Sequence, residues 1–259
     1  MESARLASLF DNAIDSFEYV YLGRTFNKNF QISLLQLDIT RLRLSRWGQS
    51  IGLSPNLDNA NVLDRGVVPR ELVKRSEMKL GQIMELFTDT ERRCAKVNGK
   101  APDNTNLLVC NTETDLDSVG ASLHHKIRDH SIKRQNGAPL SKKTGWALYE
   151  INQFRRMVKD LGGLISDLEE LFPAAQPFRS ELCDIEISEI GTGDCLRLLK
   201  EIVADQDWNL EVAISKAIKN REGGPLNVTF SGNNNHGLQV GYNYGTMSNL
   251  RWGGAGLSG

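Results

Sequence analysis

The composition of the chain changes abruptly at Gly223-Gly224-Pro225, and this break limits what each side of it can fold into. Residues 1–222 carry nearly all of the charge. From Gly223 to Gly259 the chain holds ten of its 23 glycines, six asparagines and one charged residue, Arg251. Such a segment cannot bury enough apolar surface to fold alone. We therefore predict a folded domain over residues 1–222 and a flexible tail over residues 223–259.

Helical periodicity dominates the predicted domain from its first residues onward. Apolar side chains recur there at three- and four-residue spacing, which predicts a helix that ends near Gly23. Asp11, Asp15 and Glu18 lie between the apolar positions, so this helix is amphipathic. Its apolar positions are Leu6, Leu9, Phe10, Ile14, Phe17, Val20 and Tyr21.

Further helices are predicted along the rest of the domain. They cover about residues 30–50, Pro69 to about Val97, about residues 116–135, Ser141 through Trp146 and Leu148 to Phe172, and three shorter segments near 178–190, 194–205 and 208–221. Turn residues mark 98–115, where Leu107 to Cys110 could supply one arm of a short hairpin. Strand pattern is otherwise nearly absent. The sequence therefore predicts an all-α domain of about seven to nine helices, with room for one short β-hairpin.

Composition argues against several classes of function. The formal net charge is −1, so no overall basic field attracts nucleic acid or anionic lipid. No apolar run approaches the roughly 20 residues that a transmembrane helix needs. The first ten residues lack the apolar core of a secretory signal. Cys94, Cys110, Cys183 and Cys195 show no C-x-x-C spacing, which predicts reduced thiols in a cytoplasmic protein.

The sequence contains no recognisable catalytic or metal-binding constellation. Phosphate-loop, zinc-protease, nucleophile-elbow and dinucleotide-binding motifs are absent from it. His124, His125 and His130 share one predicted helix, but offsets of five and six residues do not converge on one metal ion, which favours a solvated face. We therefore expect no catalytic site, no cofactor and no metal site. An enzyme with an unrecognised site is the less favoured alternative.

The acidic clusters of the domain are interpreted as solvated helix surface. Glu169-Glu170 and the group Asp184, Glu186 and Glu189 fit such a surface better than a general acid–base pair. The basic clusters form no long stripe, so no nucleic-acid partner is expected. These basic residues are Arg41, Arg43, Arg46, Lys142, Lys143, Arg155 and Arg156.

The tail contains a nearly palindromic segment from Gly237 to Gly245 that has no charge and no proline. In a β-conformation, successive side chains point to opposite faces. Identical chains stacked in register at about 4.8 Å would form amide ladders on one face and a dry apolar zipper on the other. The apolar face would carry Leu238, Val240, Tyr242 and Tyr244, and the amide face Gln239 and Asn243 with Gly237, Gly241 and Gly245.

A second short segment precedes the palindrome. Val228 to Phe230 would supply a strand and Asn233, Asn234 and Asn235 a turn, so each chain could add a hairpin-like layer to a fibre. We predict an amyloid core at about residues 228–252, with copies of the protein itself as partners. The competing interpretation is a disordered tail without a function, and the symmetry about Gly241 weighs against it.

Several blocks of the domain resemble the fungal HeLo domain, the helical domain of the HET-s/HET-S prion proteins. They are Leu9 to Arg24, Gln36 to Ile39, Arg43 to Gly48, Lys142 to Tyr149 and Leu182 to Ile187, in family order. The tail is similar to the amyloid signalling motifs that follow such domains. Its segment Leu238 to Gly241 resembles the pseudo-palindromic fungal motif and the core of animal RHIM segments, with Leu in the first position. It does not resemble the longer repeated amyloid region of HET-s.

The resemblance implies a cell-death executor of fungal incompatibility and innate immunity. In such systems an activated NLR-like receptor with a matching N-terminal motif templates the executor's tail into amyloid. The helical domain then exposes its N-terminal segment, oligomerises and permeabilises the membrane. The implied protein is cytoplasmic, moves to the cell membrane on activation and has membrane lipids as partners. The alternative is a non-toxic prion-like adaptor or assembly factor that propagates amyloid without membrane activity.

The N-terminus departs from the family pattern. Family members usually begin with a longer apolar stretch before the position of Leu9, where this chain has eight residues. The first helix, with its three acidic residues, is not expected to span a bilayer. Three interpretations stay open: a start other than the native one, a domain that acts by surface binding and oligomerisation, or loss of toxicity with the prion tail kept.

Overall fold

The computed structural model describes residues 2–54, 69–98, 109–135, 145–191, 193–204 and 206–223. Residues Met1–Ala217 form one compact unit, and the end of the last helix, from Ile218, belongs to a second. The α-helices are α1 (Glu2–Ser16), α2 (Phe30–Ile51), α3 (Arg70–Asn98), α4 (Ser118–Lys133), α5 (Ile151–Leu171), α6 (Gln176–Ile190), α7 (Gly193–Val203) and α8 (Trp208–Gly223). Short 3₁₀ segments occupy Phe17–Tyr19, Arg24–Asn29 and Pro173–Ala175, and the two strands are β1 (Val20–Leu22) and β2 (Trp146–Leu148).

The all-α class predicted from the sequence is confirmed. Helices α2, α3, α4, α6, α7 and α8 begin and end within a few residues of the predicted limits. Helix α4 starts at a cap, because the Asp117 carboxylate accepts a hydrogen bond of 2.7 Å from the backbone N–H of Gly120. The apolar spacing of the sequence therefore placed most of the helices correctly.

The predicted first helix is too long. Helix α1 ends at Ser16, Phe17–Tyr19 tighten into a 3₁₀ turn, and Val20 and Tyr21 lie in strand β1. This strand pairs in parallel with β2, with Val20 opposite Trp146 and Leu22 opposite Leu148. A three-residue strand is too short to show a two-residue period, so the apolar spacing alone continued the helix through it.

The predicted start of the fifth helix was also wrong, because a short strand was again included in a helix. The predicted helix from Ser141 included Trp146 and Leu148, but both lie in strand β2, and α5 begins at Ile151. Ser141 itself lies outside the described residues. Trp, Tyr and Val favour strands when a partner strand is present, and here the partner is far away in the sequence.

The predicted hairpin takes a different form. The two strands are parallel, which a tight hairpin cannot produce. Val109 forms an isolated antiparallel bridge to Gly23, and the Cys110 N–H donates to the carbonyl oxygen of Leu22 at 2.8 Å. Leu107 and Leu108, the first half of the predicted arm, lie outside the described residues.

Helix α2 occupies the middle of the fold and contacts α1, α4, α5, α6 and α7. Most of its 22 residues are buried, which explains why apolar residues occur on every side of it. Trp47 is fully buried, and its Nε1–H donates to the Leu168 carbonyl at 3.0 Å. The helix ends at Gly52, whose φ of 90° is a conformation that glycine adopts without a steric penalty.

The hydrophobic core joins α1, β1, α2, α3, β2 and α5. Phe26 and Phe154 meet edge to face within it, with ring centroids 5.6 Å apart, a geometry that adds to the stabilisation from burial. All four cysteines are free thiols, as predicted, and Cys94, Cys183 and Cys195 are buried. Burial raises the pKa of Cys183 well above its ordinary value, which keeps this thiol unreactive.

Candidate functional site

Most of the residues predicted to form a membrane-active N-terminal helix are buried in the described structure. The side chains of Leu6, Phe10 and Ile14 are completely inaccessible to solvent, and Phe17 and Val20 are buried as well. Leu9 is partly buried against the same core, whereas Tyr21 is 48% exposed. The apolar face of α1 is therefore buried in this conformation.

The seat of α1, the surface that Trp47 and Gly48 of α2 and Phe87 of α3 form, depends on close packing of aromatic side chains. Phe10 lies 6.3 Å from Trp47 between ring centroids, directly over the backbone of α2. A Cβ atom at Gly48 would come within 2.3 Å of the Phe10 ring, so this position must be glycine for α1 to pack where it does. Phe17 meets Phe87 of α3 edge to face at 4.9 Å.

The ionic contact between α1 and α3 is weak. Arg5 Nε lies 3.5 Å from Glu77 Oε1, and the Arg5 side chain is 74% exposed. A pair whose arginine is this exposed to solvent contributes at most about 1 kcal/mol. The Asp15 carboxylate accepts a hydrogen bond of 2.8 Å from Gln135 Nε2. Apolar burial and the buried, hydrogen-bonded carboxylate of Asp15 therefore both hold α1 in place.

Within the described residues, none of the helices combines the length and the hydropathy that crossing a membrane requires.

A central ionic cluster, formed by Arg46, Arg134, Glu186 and Asp207, joins α2, α4, α6 and the start of α8. Arg46 Nη2 donates to Glu186 Oε2 at 2.6 Å, and Arg46 Nη1 donates to Asp207 Oδ2 at 2.7 Å. Arg134 Nη1 lies 2.6 Å from Glu186 Oε1. The side chains of Arg46, Glu186 and Asp207 are completely buried. Asp207 also accepts from the Leu210 N–H at 3.2 Å, which caps α8.

The charges of the central ionic cluster cancel, since two arginines face two carboxylates. Burial alone lowers the pKa of Arg46, but the charges of Asp207 and Glu186 outweigh it and raise that pKa well above its ordinary value. Removing one partner from such a group leaves an uncompensated buried charge, which costs far more than an exposed pair contributes. The cluster therefore holds these four helices in one arrangement.

Two acidic residues predicted to be solvated are instead buried and paired. Glu186 belongs to the central ionic cluster. Glu169 is buried, and its Oε2 accepts from Arg43 Nη2 at 2.5 Å. The prediction was correct for Glu170, Asp184 and Glu189, which are exposed. The basic residues of α2 likewise point to carboxylates inside the protein.

A second group of charges, the Glu18 cluster of Glu18, Arg41 and Arg128, lies where α1 gives way to β1. Glu18 Oε2 accepts from Arg128 Nη2 at 2.6 Å, and Glu18 Oε1 accepts from Arg41 Nη1. Burial alone raises the pKa of Glu18, but the hydrogen bond from Arg128 and the charges of both arginines hold that pKa below its ordinary value.

His124 was predicted to lie on a solvated face, but it is buried. Its Nδ1 lies 2.7 Å from Asp38 Oδ2, so α4 and α2 share this pair. Burial lowers the pKa of His124, yet the hydrogen bond and charge of Asp38 outweigh this and raise it. His125, next to it, is exposed as predicted, and His130 pairs with Glu189 at 3.2 Å. Among the described residues, no three His, Cys, Asp or Glu side chains are grouped closely enough to hold a metal ion.

A sequence signal for the buried charges was present. Arg41, Arg43 and Arg46 occur in a helix whose apolar residues lie on every side, so α2 has no polar face for them. Charged residues in such a helix must be buried and therefore paired. The identity of the partners could not be read from that signal.

The predicted amyloid core lies outside the described residues. This holds for every residue proposed for it: Val228, Phe230, Asn233, Asn234, Asn235, Gly237, Leu238, Gln239, Val240, Gly241, Tyr242, Asn243, Tyr244 and Gly245.

Two protein families match the chain. The HeLo family, described as prion-inhibition and propagation, matches residues 3–199. The SesB family, described as a domain on fungal death-pathway protein, matches residues 224–249. The first match extends from α1 into α7 and contains Arg46, Arg134 and Glu186 of the central ionic cluster but not Asp207. The second match covers most of the tail.

Relatives of known identity and structure are similar over the helical region. Heterokaryon incompatibility proteins S and s of Podospora anserina are 30% and 31% identical over 215 residues, covering 82% of this chain and 71% of each relative. The structure of the HET-S N-terminal domain superposes with a TM-score of 0.73 at 28% identity, covering 83% of this chain and 93% of that one. A double mutant of the HET-s N-terminal domain superposes equally well at 30% identity, covering 83% of this chain and 98% of that one.

Proposed function

Because this chain belongs to the HeLo family of prion-inhibition and propagation proteins, we propose that it executes cell death in a fungal incompatibility or innate-immunity pathway. The observation that carries this proposal is the presence of a HeLo match at residues 3–199 and a SesB match at residues 224–249 in one chain. The relatives named heterokaryon incompatibility proteins support the same assignment.

The first step of the proposed mechanism takes place in the tail. An activated NLR-like receptor with a matching N-terminal motif clusters its own copies and templates residues 228–252 into amyloid. The absence of charge and proline between Gly237 and Gly245 favours in-register stacking. A clustered template raises the local concentration of strands and so removes the cost of nucleation.

The second step takes place at α1. Assembly of the tail brings many helical domains together, and α1 leaves its seat between α2 and α3. Release exposes Leu6, Phe10 and Ile14, which are completely buried in the described conformation. An amphipathic helix with such a face binds in the interface of a bilayer. The protein thereby moves from the cytoplasm to the cell membrane, oligomerises there and permeabilises it.

The role of the tail is tested by proline substitution. Gln239→Pro combined with Gly241→Pro removes a ladder donor and fixes φ at both positions, so fibre formation and cellular foci should be lost. Ala255→Pro is the matched control, since it lies beyond residue 252 and should leave assembly unchanged. Deletion of residues 223–259 should have the same effect as the double substitution. Fibres that survive the double substitution would place the core elsewhere.

The role of α1 is tested by tethering it. The substitutions Arg5→Cys and Glu77→Cys, joined by a cleavable thiol cross-linker, hold α1 on α3 at the position of this ion pair. Seeded protein should then form fibres without releasing dye from liposomes, and cleavage of the linker should restore release. Each single cysteine variant, treated with the same reagent, controls for modification of the native thiols.

Dye release from the tethered protein would contradict the release of α1. Seeded fibres that never release dye, with or without the tether, would instead favour the non-toxic adaptor that propagates amyloid without membrane activity.

A further inference from the structure

A cavity of about 330 Å³ lies between α2, α5 and the segment that precedes α8. Gln36 and Arg43 line it from α2, and residues between Arg155 and Ser166 line it from α5. The half-buried side-chain amide of Gln36 forms no hydrogen bond with any described residue. This amide is therefore free to donate to a ligand in the cavity and to accept from it.

The charged side chains that line this cavity are all basic. They are Arg43, Arg155 and Lys159, and no described carboxylate lines it with them. Glu169 neutralises Arg43, since its Oε2 accepts from Arg43 Nη2 at 2.5 Å. Arg155 and Lys159 are exposed, and neither forms an ion pair within the described part of the chain. Two positive charges therefore remain uncompensated at this cavity.

The spacing of these two charges suits one compact anion. Arg155 and Lys159 are four residues apart in α5, which places their side chains on the same face of the helix, with Cβ atoms about 5–6 Å apart. The planar fork of an arginine donates two parallel hydrogen bonds to a phosphate group, and a lysine adds a point charge. A phosphate monoester carries nearly two negative charges at neutral pH, which matches the two free cations.

Two consecutive glycines keep the cavity open. Gly162 and Gly163 lie in the interior of α5 and line the cavity one turn after Lys159. Glycine in a helix interior is less favourable than alanine. A Cβ atom at either position would meet no other part of the protein within 4 Å, so packing does not require glycine here. The missing side chains instead leave space for a ligand beside the two free cations.

We propose that this cavity binds a phosphate monoester on a small hydroxylated body, which is either a free polyol phosphate or the headgroup of a phospholipid. The phosphate group pairs with Arg155 and Lys159. The hydroxyl groups of the body bond to the Gln36 amide, and the body occupies the space beside Gly162. Binding does not depend on the proposed cell-death function and can be measured on the unassembled chain.

The first test compares two soluble probes that differ only in the phosphate group. Glycerol 3-phosphate and glycerol are titrated into the unassembled full-length chain in a phosphate-free buffer at neutral pH and followed by calorimetry. We expect saturable 1:1 binding of glycerol 3-phosphate with a Kd below about 1 mM. Loss of the charged hydrogen bonds should weaken glycerol binding at least about tenfold. Equal binding of the two probes, or no binding of glycerol 3-phosphate, would overturn the proposal.

Vesicles distinguish the two sources of the phosphate group. Phosphatidylcholine vesicles that contain phosphatidic acid present a monoester, and vesicles with phosphatidylserine, matched in total charge, do not. If the protein floats only with the phosphatidic acid vesicles, and Arg155→Gln abolishes flotation, the ligand is a lipid headgroup. Binding of glycerol 3-phosphate without flotation identifies a free polyol phosphate. Both results support the same site.

Charge variants locate the binding. Arg155→Gln and Lys159→Gln should each raise the Kd for glycerol 3-phosphate at least about tenfold. Arg156→Gln is the matched control, because Arg156 is the exposed neighbour of Arg155 on the same helix and does not line the cavity. Equal losses in Arg155→Gln and Arg156→Gln would show that only diffuse surface charge attracts the probe, and would overturn the site.

A glycine variant separates binding from folding. Gly162→Leu places a side chain in the cavity and favours the helix, so the Tm should not fall while binding of glycerol 3-phosphate is abolished. Gly81→Leu in α3 is the matched control, since a Cβ atom there also meets nothing within 4 Å and Gly81 does not line the cavity. It should keep both the Tm and the binding. Binding that is unchanged in Gly162→Leu would place the phosphate elsewhere.

Discussion

The seat of α1 and the central ionic cluster are both buried, but different kinds of interaction predominate in them. α1 is held by Leu6, Phe10 and Ile14 against aromatic and aliphatic neighbours, and at its edge the exposed Arg5 pairs with Glu77. The helices α2, α4, α6 and α8 are joined by Arg46, Arg134, Glu186 and Asp207, whose charges are paired inside the protein.

The two kinds of interaction respond differently to separation. Apolar contacts are non-directional, so an element held by them can leave and bury the same face elsewhere, for example in a bilayer. Separating a buried ion pair leaves charges that only water or another charge can stabilise. The proposed release of α1 depends on this difference, because the apolar face of α1 can be buried elsewhere, whereas separating the ionic cluster leaves unpaired charges.

Of the substitutions considered, one in the central ionic cluster should lower the free energy of unfolding the most. Glu186→Gln removes the negative charge that faces both Arg46 and Arg134, and should lower the free energy of unfolding by about 3–5 kcal/mol. Urea denaturation measures this loss. Glu189→Gln, one turn later on α6 and 56% exposed, should change the free energy by less than about 1 kcal/mol. Similar losses in both variants would remove the distinction between the cluster and ordinary surface pairs.

The second largest loss of stability is expected from a substitution at the seat of α1. Phe10→Ala leaves a cavity against Trp47 and should cost about 3 kcal/mol, near the lower end for deletion of a buried ring. Hydrogen exchange should speed up in α1 while α6 and α8 keep their protection, since the ionic cluster is untouched. Leu9→Ala, on the partly buried side of the same helix, should have a much smaller effect. Loss of protection throughout the protein would show that α1 is not an independent element.

A smaller contribution to stability should vary with pH. The pKa of His124 in the folded state is raised above its ordinary value of about 6.5, because the hydrogen bond with Asp38 outweighs burial. The stabilisation from this pair is therefore complete below about pH 6.5 and is lost as the pH rises through the raised pKa. The lowered pKa of Glu18 has the opposite sign and acts in acid, below about pH 4.5.

The variant His124→Asn should show a flatter dependence of Tm on pH above about 6.5 than the natural chain. His125→Asn, at the exposed neighbouring position, should keep the natural profile. If the natural chain gained stability as the pH rose through this window, the Asp38–His124 pair would not be the group responsible.

The smallest effect is expected at an exposed pair beside the cluster. Lys216 Nζ lies 2.7 Å from Asp184 Oδ2, and both side chains are about half exposed, at 62% and 47%. Asp184→Asn should change the free energy of unfolding by less than about 0.5 kcal/mol, measured by the same denaturation. Since Asp184 lies two residues before Glu186, a larger loss would mean that burial does not decide the strength of these pairs.

Helix positions followed from the sequence where apolar residues recur over a long segment. α2 and α3 were predicted on this basis, with Pro69 marking the start of α3. The prediction failed where pairing depends on distant residues, because Val20 and Trp146 form a strand pair that leaves no local pattern. It failed for the same reason at Glu186, whose partner Arg46 is 140 residues away in the chain.

The sequence by itself determined the division at Gly223, the helical class of the domain, and the charge-free, proline-free segment from Gly237 to Gly245, because propensity, capping and composition act locally. Only the tertiary structure decided which side chains are buried. It placed the apolar face of α1 inside the protein and turned the charges of α2, α4 and α6 toward each other. Burial and charge pairing depend on desolvation and on distances of a few ångströms between residues far apart in the chain, and no local pattern contains that information.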